Sequence, residues 1–534
     1  MLKLYDPTVS FSTIYFPRNG KAPYLRYNHC VDIIHFKDRY VAAWNANRTG
    51  SEGVPGQYNF ISTSPDFKRW SPAEKLFGPE HCDEPVLSDR QWQPSFLQFN
   101  GTLFVAWCDT VTRTTYVASS QDAVKFRNRV VDDAGLPEGT VAFPTNHGLA
   151  EGDGTLFFPA SLPEKMNGLC RYAIVLISRD GGRNWHWSRP VQAAPWSSFG
   201  VTPEKFPLDR PTLWEPMVYR AAPGKLGMLI RNNTPTAENP SIQPEHLLLY
   251  AESDDDGETW SDARPVEVET IVSRCYAESL GGPMLMAMND WPRGVPEHIS
   301  YDRYHLSLFF SPTGDPDLLL PGPEIQPEGG RAFYPNGFTE NGKLYVAYTY
   351  PDFIGASVVE KLPDFRQPFM MLRKSRPGAR YENGTLILSR IEGTAPVLAT
   401  PEMVKSGRVT LQFSAKAQVR TESDFPLLTL GGKTRNGAVL MLRFDPEADC
   451  DRCILRSTSG REMELGTLAL HEDEPFQIRL ARGKCDVTFK NNTATLEEDI
   501  LFKIAFGGLY SPVIWPQGSQ TVQNCIRIHD IDCH

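Results

Sequence analysis

The stretch Ser178-Arg-Asp-Gly-Gly-Arg-Asn-Trp185 recurs as Ser253-Asp-Asp-Asp-Gly-Glu-Thr-Trp260, and both follow the pattern Ser-x-Asp-x-Gly-x-Asn/Thr-Trp. These residue types predict a tight turn in which one aspartate, Asp180 or Asp256, accepts hydrogen bonds from backbone N–H groups. The glycine permits unusual dihedral angles, and the tryptophan covers the turn as an apolar plug. Two weaker copies lack the glycine: Ser64-Pro-Asp-Phe-Lys-Arg-Trp70 and Ser120-Gln-Asp-Ala-Val-Lys-Phe126. Four copies of one turn indicate a repeated fold.

A second pattern, a turn of Gly, Asn or Asp followed by an apolar run, also recurs along the chain. Each copy is typical of a hairpin between the innermost and second strands of a small sheet. The intervals of roughly 50–70 residues are those of propeller blades with their loops. We therefore predict an all-β chain with a six-bladed β-propeller over residues 1–365, the Ser-x-Asp turns lying between third and fourth strands. The copies begin at Lys37, Asn100, Asp153, Pro223, Gly281 and Asn341.

The composition changes after Pro368, where the tryptophan-bearing turns stop and short alternating strands continue to the end of the chain. Strands of this length with turns between them predict a β-sandwich over residues 366–534, of the lectin-like or jelly-roll type. We expect this domain to pack against the propeller, and carbohydrate capture stays open as its alternative role.

Charge, apolar runs and cysteine spacing argue against several function classes. The net charge of −10 disfavours nucleic acid and anionic membranes as partners. No apolar run has the length of a signal peptide or a membrane span, so we expect a cytoplasmic protein, or a secreted or periplasmic one whose leader has been removed. The ten cysteines are scattered, and Cys450-Asp-Arg-Cys453 has no second pair to complete a zinc site. We predict no metal and no cofactor, and the oligomeric state stays open.

Taken together, the repeats resemble those of the sialidase-like (neuraminidase-like, BNR or Asp-box repeat) propeller family, of glycoside hydrolase type. The likeness covers about residues 25–360 and implies a glycan or oligosaccharide substrate. Three segments resemble the family's catalytic strands, which carry a glutamate, two carboxylate-binding arginines and a nucleophilic tyrosine. The resemblance gives these roles to Glu215 and Arg231 in Trp214–Asn232, to Arg303 in Asp302–Phe309, and to Tyr334 in Phe333–Gly342.

These residue types suit the chemistry that the resemblance implies. A phenol is a weak nucleophile at neutral pH, so Tyr334 needs a neighbouring base, and Glu215 could take its proton. A neutral nucleophile also avoids repulsion from an anionic sugar, whose carboxylate Arg231 and Arg303 would bind through paired hydrogen bonds.

The first blade departs from the family pattern. The family's first arginine is expected where Asn28 and His29 stand, and Arg26 lies just before them. Arg48 resembles the arginine that follows the second strand. The resemblance therefore implies substrate-binding roles for Arg26, Asn28, His29 and Arg48. The next loop has no aspartate, so Glu52 is its only candidate for the acid.

Further polar and aromatic residues stand where strands should meet the central axis. His29 and His147 each follow an asparagine at the predicted start of an inner strand, and histidines there suit acid/base work at neutral pH. Asp290 and Trp291 follow the fifth blade's second strand and could supply a polar contact and a stacking platform for a sugar ring.

Three functions fit these observations. The first is an exo-acting glycosidase that removes a terminal, acidic sugar through Tyr334 and Glu215. The second is a polysaccharide lyase, in which arginines neutralise a uronate while Tyr334 or a histidine abstracts a proton. The third is a non-catalytic carbohydrate-binding propeller.

Overall fold

The computed structural model describes residues 2–17, 24–86, 88–165, 168–199, 208–233, 247–269, 273–290, 303, 305–327, 330–350, 353–372, 379–383, 385–388, 394–417, 424–432, 436–507 and 526–533. Over these residues the protein is almost entirely β-structure, and six small sheets follow one another along the chain as the blades of a propeller. The predicted all-β propeller is confirmed.

The first three blades each pair their strands antiparallel, in chain order from the axis outward. Blade 1 contains Tyr27–Phe36, Arg39–Asn47, Tyr58–Ser64 and Glu74–Lys75. Blade 2 contains Gln91–Phe99, Thr102–Asp109, Thr114–Ser120 and Arg127–Val130. In blade 3 the inner strand is split into two short pieces that pair with the same second strand: Phe143–Pro144, Leu149–Ala150, Leu156–Pro163, Cys170–Ser178 and His186–Trp187.

The last three blades complete the ring. Blade 4 contains Leu213–Ala222, Lys225–Asn232, Leu247–Ser253 and Arg264–Glu269. Blade 5 contains Tyr276–Ser279, Met284–Asn289, Leu306–Ser311 and Leu320–Glu324. Blade 6 takes its outer strand from the beginning of the chain: Phe333–Glu340, Lys343–Thr349, Ile354–Val359 and Val9–Tyr15. This antiparallel pairing of the first and last blade segments closes the propeller.

Two larger sheets follow the sixth blade. The eight-stranded sheet has the spatial order Lys3–Tyr5, Phe369–Met371, Thr394–Leu398, Ile504–Gly507, Phe425–Gly431, Gly437–Asp445, Cys450–Ser457 and Glu462–Leu468. The seven-stranded sheet has the order Ala379–Glu382, Thr385–Leu388, Ile526–Cys533, Arg408–Ala417, Glu474–Ala481, Lys484–Phe489 and Asn492–Leu496. Both sheets contribute to one apolar core, in which Phe413 and Phe506 meet edge to face, so the predicted sandwich is confirmed as a fold.

Apolar packing also joins the two parts of the chain. One core cluster contains Phe309 and Val346 from the propeller together with Phe369, Leu398 and Ala505 from the eight-stranded sheet. Lys3–Tyr5 adds a parallel strand to that sheet although it precedes the propeller in sequence. The domain boundary at residue 365 stays a prediction.

Helical structure is minor in the described residues. The α-helix Pro401–Ser406 begins after the N-cap Thr400 and ends at Gly407 in the left-handed region, with φ of 68°. Two turns of 3₁₀-helix are Trp196–Phe199 and Pro316–Leu318. Within the part of the chain that is described, no helix has both the length and the apolar content needed to cross a bilayer.

The two sequence repeats lie where they are predicted. The six turns join inner and second strands, and Asn100-Gly101 and Asn341-Gly342 each have two successive positive φ angles, as a tight hairpin requires. All four Ser-x-Asp turns lie between third and fourth strands.

The hydrogen bonds of these turns correct one detail of the sequence interpretation. Asp180 accepts from the backbone N–H groups of Arg183 and Asn184, as predicted. In the second copy the acceptor is Asp255 rather than Asp256, since Asp255 Oδ1 receives the Thr259 N–H at 2.9 Å. Asp256 instead adopts a positive φ of 54° beside the turn glycine. In a run of three aspartates only the register of the pattern distinguishes them, and the aspartate two residues after the serine is the one that closes the turn.

Candidate active site

The inner strands of four blades share the same β-bulge near their beginnings. In each, two residues oppose one residue of the second strand, and the first of the two has a positive φ between 39° and 59°. The four pairs are Cys30-Val31, Gln93-Pro94, Glu215-Pro216 and Tyr334-Pro335.

A bulge turns the strand locally and re-aims the side chain of the residue that it inserts. Proline suits the second position in three of the four bulges because it has no N–H that the interrupted ladder would leave unpaired. A non-glycine residue with positive φ costs of the order of 1 kcal/mol or more, so such strain repeated at equivalent positions indicates a functional arrangement. The bulges of blades 4 and 6 bring Glu215 and Tyr334 to one side chain, Arg231.

Arg231 connects the two residues that the sequence predicts to be catalytic. Its Nη1 donates to Glu215 Oε2 at 2.8 Å and to Tyr334 Oη at 2.5 Å. All three side chains are buried, with exposed fractions of 8% for Arg231, 5% for Glu215 and 4% for Tyr334. Arg231 Nη2 also donates to Asn233 Oδ1 at 3.2 Å, which fixes the plane of the guanidinium.

Electrostatics assign a charge to each member of this group. Burial alone would raise the pKa of Glu215, but the charge of Arg231 and hydrogen bonds from Tyr334 and Arg231 outweigh it, so the pKa of Glu215 is lowered. Burial raises the pKa of Tyr334, with Arg231 opposing. At neutral pH the site therefore holds a carboxylate beside a neutral phenol, as a base and a nucleophile require.

Three guanidinium groups surround the ring of Tyr334. The guanidinium carbons of Arg231, Arg274 and Arg303 lie 5.8, 5.1 and 4.7 Å from the ring centroid. Arg303 also lies 4.9 Å from the ring of Phe333. The structure thus brings together Arg231 and Arg303, two of the arginines that the sequence predicts, and adds Arg274, which sequence reasoning missed.

Arg274 lies beneath the site and is only 1% exposed. It donates to the backbone carbonyls of Val31 and Thr145, and therefore joins blades 1, 3 and 5 below Tyr334. No motif marks this arginine, which lies in the connection before the fifth blade's inner strand.

His29 packs against the tyrosine with its ring tilted by 44°. The two ring centroids are 4.2 Å apart, and His29 Nδ1 is 3.1 Å from Thr349 Oγ1. Burial and the charges of Arg303, Arg274 and Arg231 lower the pKa of His29 well below its ordinary value. The imidazole is therefore neutral at physiological pH, and His29 contributes hydrogen bonding rather than charge where the family's first arginine is expected.

Glu52 reaches the same region from the loop after blade 1's second strand. Partial desolvation of its carboxyl group and the nearby charge of Glu215 raise the pKa of Glu52, while the Tyr27 hydroxyl and the charges of Arg303 and Arg231 oppose the rise. Other parts of the residue are exposed to solvent. Donor atoms of His29, Cys30 and Glu52 lie within 4.8 Å of one another. A carboxyl with a raised pKa at a solvent-open position can hold a proton for a leaving group.

Gln93 is a candidate that sequence reasoning missed. It occupies the same bulge position in blade 2 as Glu215 and Tyr334 do in blades 4 and 6, with φ of 39°. The residue is 7% exposed, and its Oε1 has no hydrogen-bond partner among the described residues. A Gln-Pro dipeptide at the start of an inner strand, parallel to Glu215-Pro216 and Tyr334-Pro335, is the signal that could have found it.

Two predicted binding residues of blade 1, Asn28 and Arg48, have their contacts away from this cluster. Asn28 turns into the blade, where Nδ2 donates to Leu25 O at 3.0 Å and Oδ1 accepts from Trp44 Nε1 at 3.1 Å. Arg26 is exposed, and its backbone N–H donates to Asn47 O. Arg48 lines a separate cavity of about 530 Å³ with Tyr58, Glu74, Lys75 and Glu80. Asn28 lies before the bulge and Cys30 lies in it, so their side chains point in different directions. The sequence alone does not show where the bulge lies.

His147 and Asp290, two further predicted binding residues, make contacts outside the Arg231 cluster. His147 Nδ1 lies 2.9 Å from Asp32 Oδ1, and the Asp32 carboxylate accepts the N–H groups of Ile33 and Phe96. This pair joins the inner strands of blades 1 and 2 to blade 3. Asp290 is buried and continues the fifth blade through its N–H bond to His305 O. Trp291 lies outside the described residues.

The family described as "BNR repeat-like domain" matches residues 38–352 of the chain. No curated protein matches the sequence.

Several solved structures resemble the chain in fold. A mutant of Trypanosoma rangeli sialidase displaying trans-sialidase activity is 12% identical with a TM-score of 0.49, over 100% of this chain and 96% of that one. A protein of unknown function from Dyadobacter fermentans is 17% identical with a TM-score of 0.48, over 66% and 99% of the two chains. A mutant of NanB sialidase from Streptococcus pneumoniae is 11% identical with a TM-score of 0.47, over 65% and 70%.

Proposed function

Since this chain belongs to the BNR repeat-like domain family, we propose that it is an exo-acting glycoside hydrolase that removes a terminal, acidic sugar from a glycan. The observation that carries the proposal is the single Arg231 nitrogen that donates to both Glu215 and Tyr334 inside a buried cluster. A carboxylate and a phenol held together in this way have the chemistry of a base-assisted nucleophile.

The reaction follows from these roles. Glu215 accepts the phenolic proton as Tyr334 Oη attacks the anomeric carbon, and the bond to the leaving oxygen breaks as Glu52 protonates it. Glu52, now a carboxylate, then takes a proton from a water molecule. That water attacks the same carbon, the bond to Tyr334 breaks, and the proton held by Glu215 returns to the phenolate. Two displacements retain the configuration of the sugar.

The charges of the site favour an anionic sugar. Three guanidinium groups surround Tyr334, and Glu215 is the ionised carboxylate beside it, because Glu52 holds the proton that the leaving group receives. A sugar carboxylate would reduce the excess of positive charge and would meet Arg231 and Arg303 as hydrogen-bond donors. Gln93 and the neutral His29 would then meet uncharged hydroxyl or amide groups.

The neutral state of His29 supports a second candidate, a polysaccharide lyase. An imidazole that is unprotonated and lies 4.2 Å from the Tyr334 ring could accept the α-proton of a uronate, while the arginines neutralise its carboxylate. A lyase leaves a new carbon–carbon double bond that absorbs in the ultraviolet, whereas a hydrolase leaves none.

One experiment separates the three functions. The purified protein is offered acidic glycans and chromogenic glycosides of acidic sugars, and both reducing ends and ultraviolet absorbance are followed. We expect new reducing ends without absorbance, and at least a roughly 100-fold slower release by Tyr334→Phe, because removal of a nucleophile slows catalysis by orders of magnitude. Tyr345→Phe, on the second strand of the same blade, is the matched control. Release at an unchanged rate by Tyr334→Phe would refute Tyr334 as the nucleophile, and absorbance without hydrolysis would refute the hydrolase.

A further inference from the structure

The bulge of blade 1 brings three potential metal ligands together at the candidate active site. His29 and Cys30 are adjacent on the inner strand, and Glu52 comes from the loop after the second strand. One donor atom from each residue lies within 4.8 Å of the others. No metal-ligand spacing marks these three residues in the sequence, because Glu52 is distant along the chain and the bulge at Cys30 becomes visible only in the structure.

A hydrogen bond at one nitrogen of His29 orients the imidazole ring. Its Nδ1 is 3.1 Å from Thr349 Oγ1, which leaves Nε2 as the nitrogen available to a metal. A hydrogen bond at the non-ligating nitrogen is the usual partner of a metal-binding histidine, because it fixes the orientation of the ring.

Metal binding requires a small movement of the loop that carries Glu52. Zinc binds sulfur at about 2.3 Å and nitrogen or oxygen at about 2.0–2.2 Å, so tetrahedral ligand atoms lie roughly 3.5 Å apart. The donor atoms lie up to 4.8 Å apart, so bringing them to this spacing requires a movement of about 1 Å. Glu52 can supply it, because its loop is exposed and contains Gly50, Gly53 and Gly56, all with positive φ.

Charge also permits a cation here despite the nearby arginines. Cys30 would bind as a thiolate and Glu52 as a carboxylate, so the two ligand charges cancel those of a divalent cation. The cation with its two anionic ligands is neutral overall and therefore does not repel Arg231 and Arg303. The only electrostatic cost to the arginines is that an ionised Glu52 no longer presents a negative charge to them. Mixed nitrogen, sulfur and oxygen ligands favour zinc and cobalt over magnesium or calcium.

We propose that His29, Cys30 and Glu52 form a binding site for a zinc-class divalent cation, with one coordination position open to water or to a ligand hydroxyl. A bound cation would occupy the Glu52 carboxylate and so inhibit the glycosidase, a consequence that rests on the proposed function. Binding itself does not depend on it.

Co²⁺ titration of the purified protein tests the site directly. We expect one Co²⁺ per chain and a thiolate-to-cobalt absorption band in the near ultraviolet. Cys30→Ser should abolish the band, and Glu52→Gln, a change in an exposed loop, should weaken Co²⁺ binding at least 10-fold while thermal unfolding stays the same.

Cys450→Ser is the matched control. Cys450 is half-buried in the eight-stranded sheet of the sandwich and belongs to the only Cys-x-x-Cys motif of the sequence. It should leave the band and the affinity unchanged. A band that is absent from the parent protein, that persists in Cys30→Ser, or that disappears in Cys450→Ser would overturn the proposal.

Turnover measured with and without Zn²⁺ distinguishes this site from the proposed activity. If the band behaves as expected but no glycan is cleaved in the absence of metal, the metal site stands and the glycosidase fails. Should glycan cleavage occur without any Co²⁺ band, the metal proposal fails and the glycosidase stands.

Discussion

Glu215 and Tyr334 stand at the same position of equivalent bulges in blades 4 and 6, and one nitrogen of Arg231 donates to both, at 2.8 and 2.5 Å. Two strands that are more than a hundred residues apart in sequence therefore present a base and a phenol to one cation. This pairing explains why both residues tolerate a positive φ, which is costly for residues with a side chain.

The first prediction concerns the stability of this cluster. Arg231→Met removes the cation and leaves the Glu215 carboxylate buried without it, so we expect the free energy of unfolding to fall by about 3–5 kcal/mol. In the double variant Arg231→Met, Glu215→Leu no buried charge is stranded, and most of the loss should be recovered. Urea unfolding of the three proteins measures this. Equal losses in the single and double variants would contradict the ion-pair interpretation.

A second prediction concerns pH. Burial disfavours the charged imidazole of His147, but the charge and hydrogen bond of Asp32 and the charge of Glu278 prevail, so the pKa of His147 is raised. A raised folded-state pKa means that the stabilisation is fully present below the unfolded pKa of about 6.5 and is lost as pH rises through the folded value. His147→Gln should lose this dependence in urea unfolding from pH 5.5 to 9.

The charged groups that face His147 are Asp32 from blade 1 and Glu278 from blade 5, while Asn336 of blade 6 approaches its backbone N–H. Glu278→Gln should therefore lower the pH range over which the stabilisation from His147 is lost, without abolishing the pH dependence. A parent protein whose stability does not fall on the alkaline side of neutrality would refute the role given to this pair.

The third prediction uses the run of three aspartates. Asp255→Ala removes the acceptor of the Thr259 N–H and hydroxyl, and we expect a loss of about 1 kcal/mol, the usual effect of deleting a side chain that caps backbone donors. Asp256→Asn keeps a residue type that tolerates positive φ and should change the free energy of unfolding by less than about 0.5 kcal/mol. Comparable losses in both variants would restore the original assignment to Asp256.

A fourth prediction separates binding from stability in blade 2. Gln93→Leu replaces a buried amide whose Oε1 is unpaired, so the unfolding free energy should stay the same or rise. The apparent KM should increase about 10-fold, which corresponds to the loss of one good hydrogen bond to substrate.

Gln91→Leu is the contrasting control two residues earlier. Gln91 accepts from Asn59 N and donates to Val86 O and Ser88 O, so this change should destabilise the protein by about 1–3 kcal/mol and leave KM unchanged. If the two variants behave alike, Gln93 is not a ligand-facing residue.

Much of the candidate site could be predicted because the family motifs place it. The glutamate-bearing, arginine-bearing and tyrosine-bearing segments identified Glu215, Arg231, Arg303 and Tyr334, and the structure groups all four. The same method missed Arg274, which lies in a connecting segment without a motif, and it assigned binding roles to Asn28 and Arg48, whose contacts lie elsewhere.

The bulges account for these differences. Before and after the inserted residue, successive side chains no longer alternate between the two faces of the strand as they do in a regular ladder. Asn28 thus packs into its blade while Cys30, two residues later, joins His29 and Glu52 at the site. Only the three x-Pro dipeptides, Gln93-Pro94, Glu215-Pro216 and Tyr334-Pro335, indicate the bulges in sequence.

By itself the sequence determined the repeating unit, because turns and strand alternation depend on residues that are close together in the chain. The six hairpins and the four Ser-x-Asp turns all lie where that local chemistry puts them. Tertiary structure alone decided which side chains share the axis. Arg231, Arg274 and Arg303 converge on Tyr334 only once the strand at the beginning of the chain closes the ring of blades, since their contacts span blades that no local pattern connects.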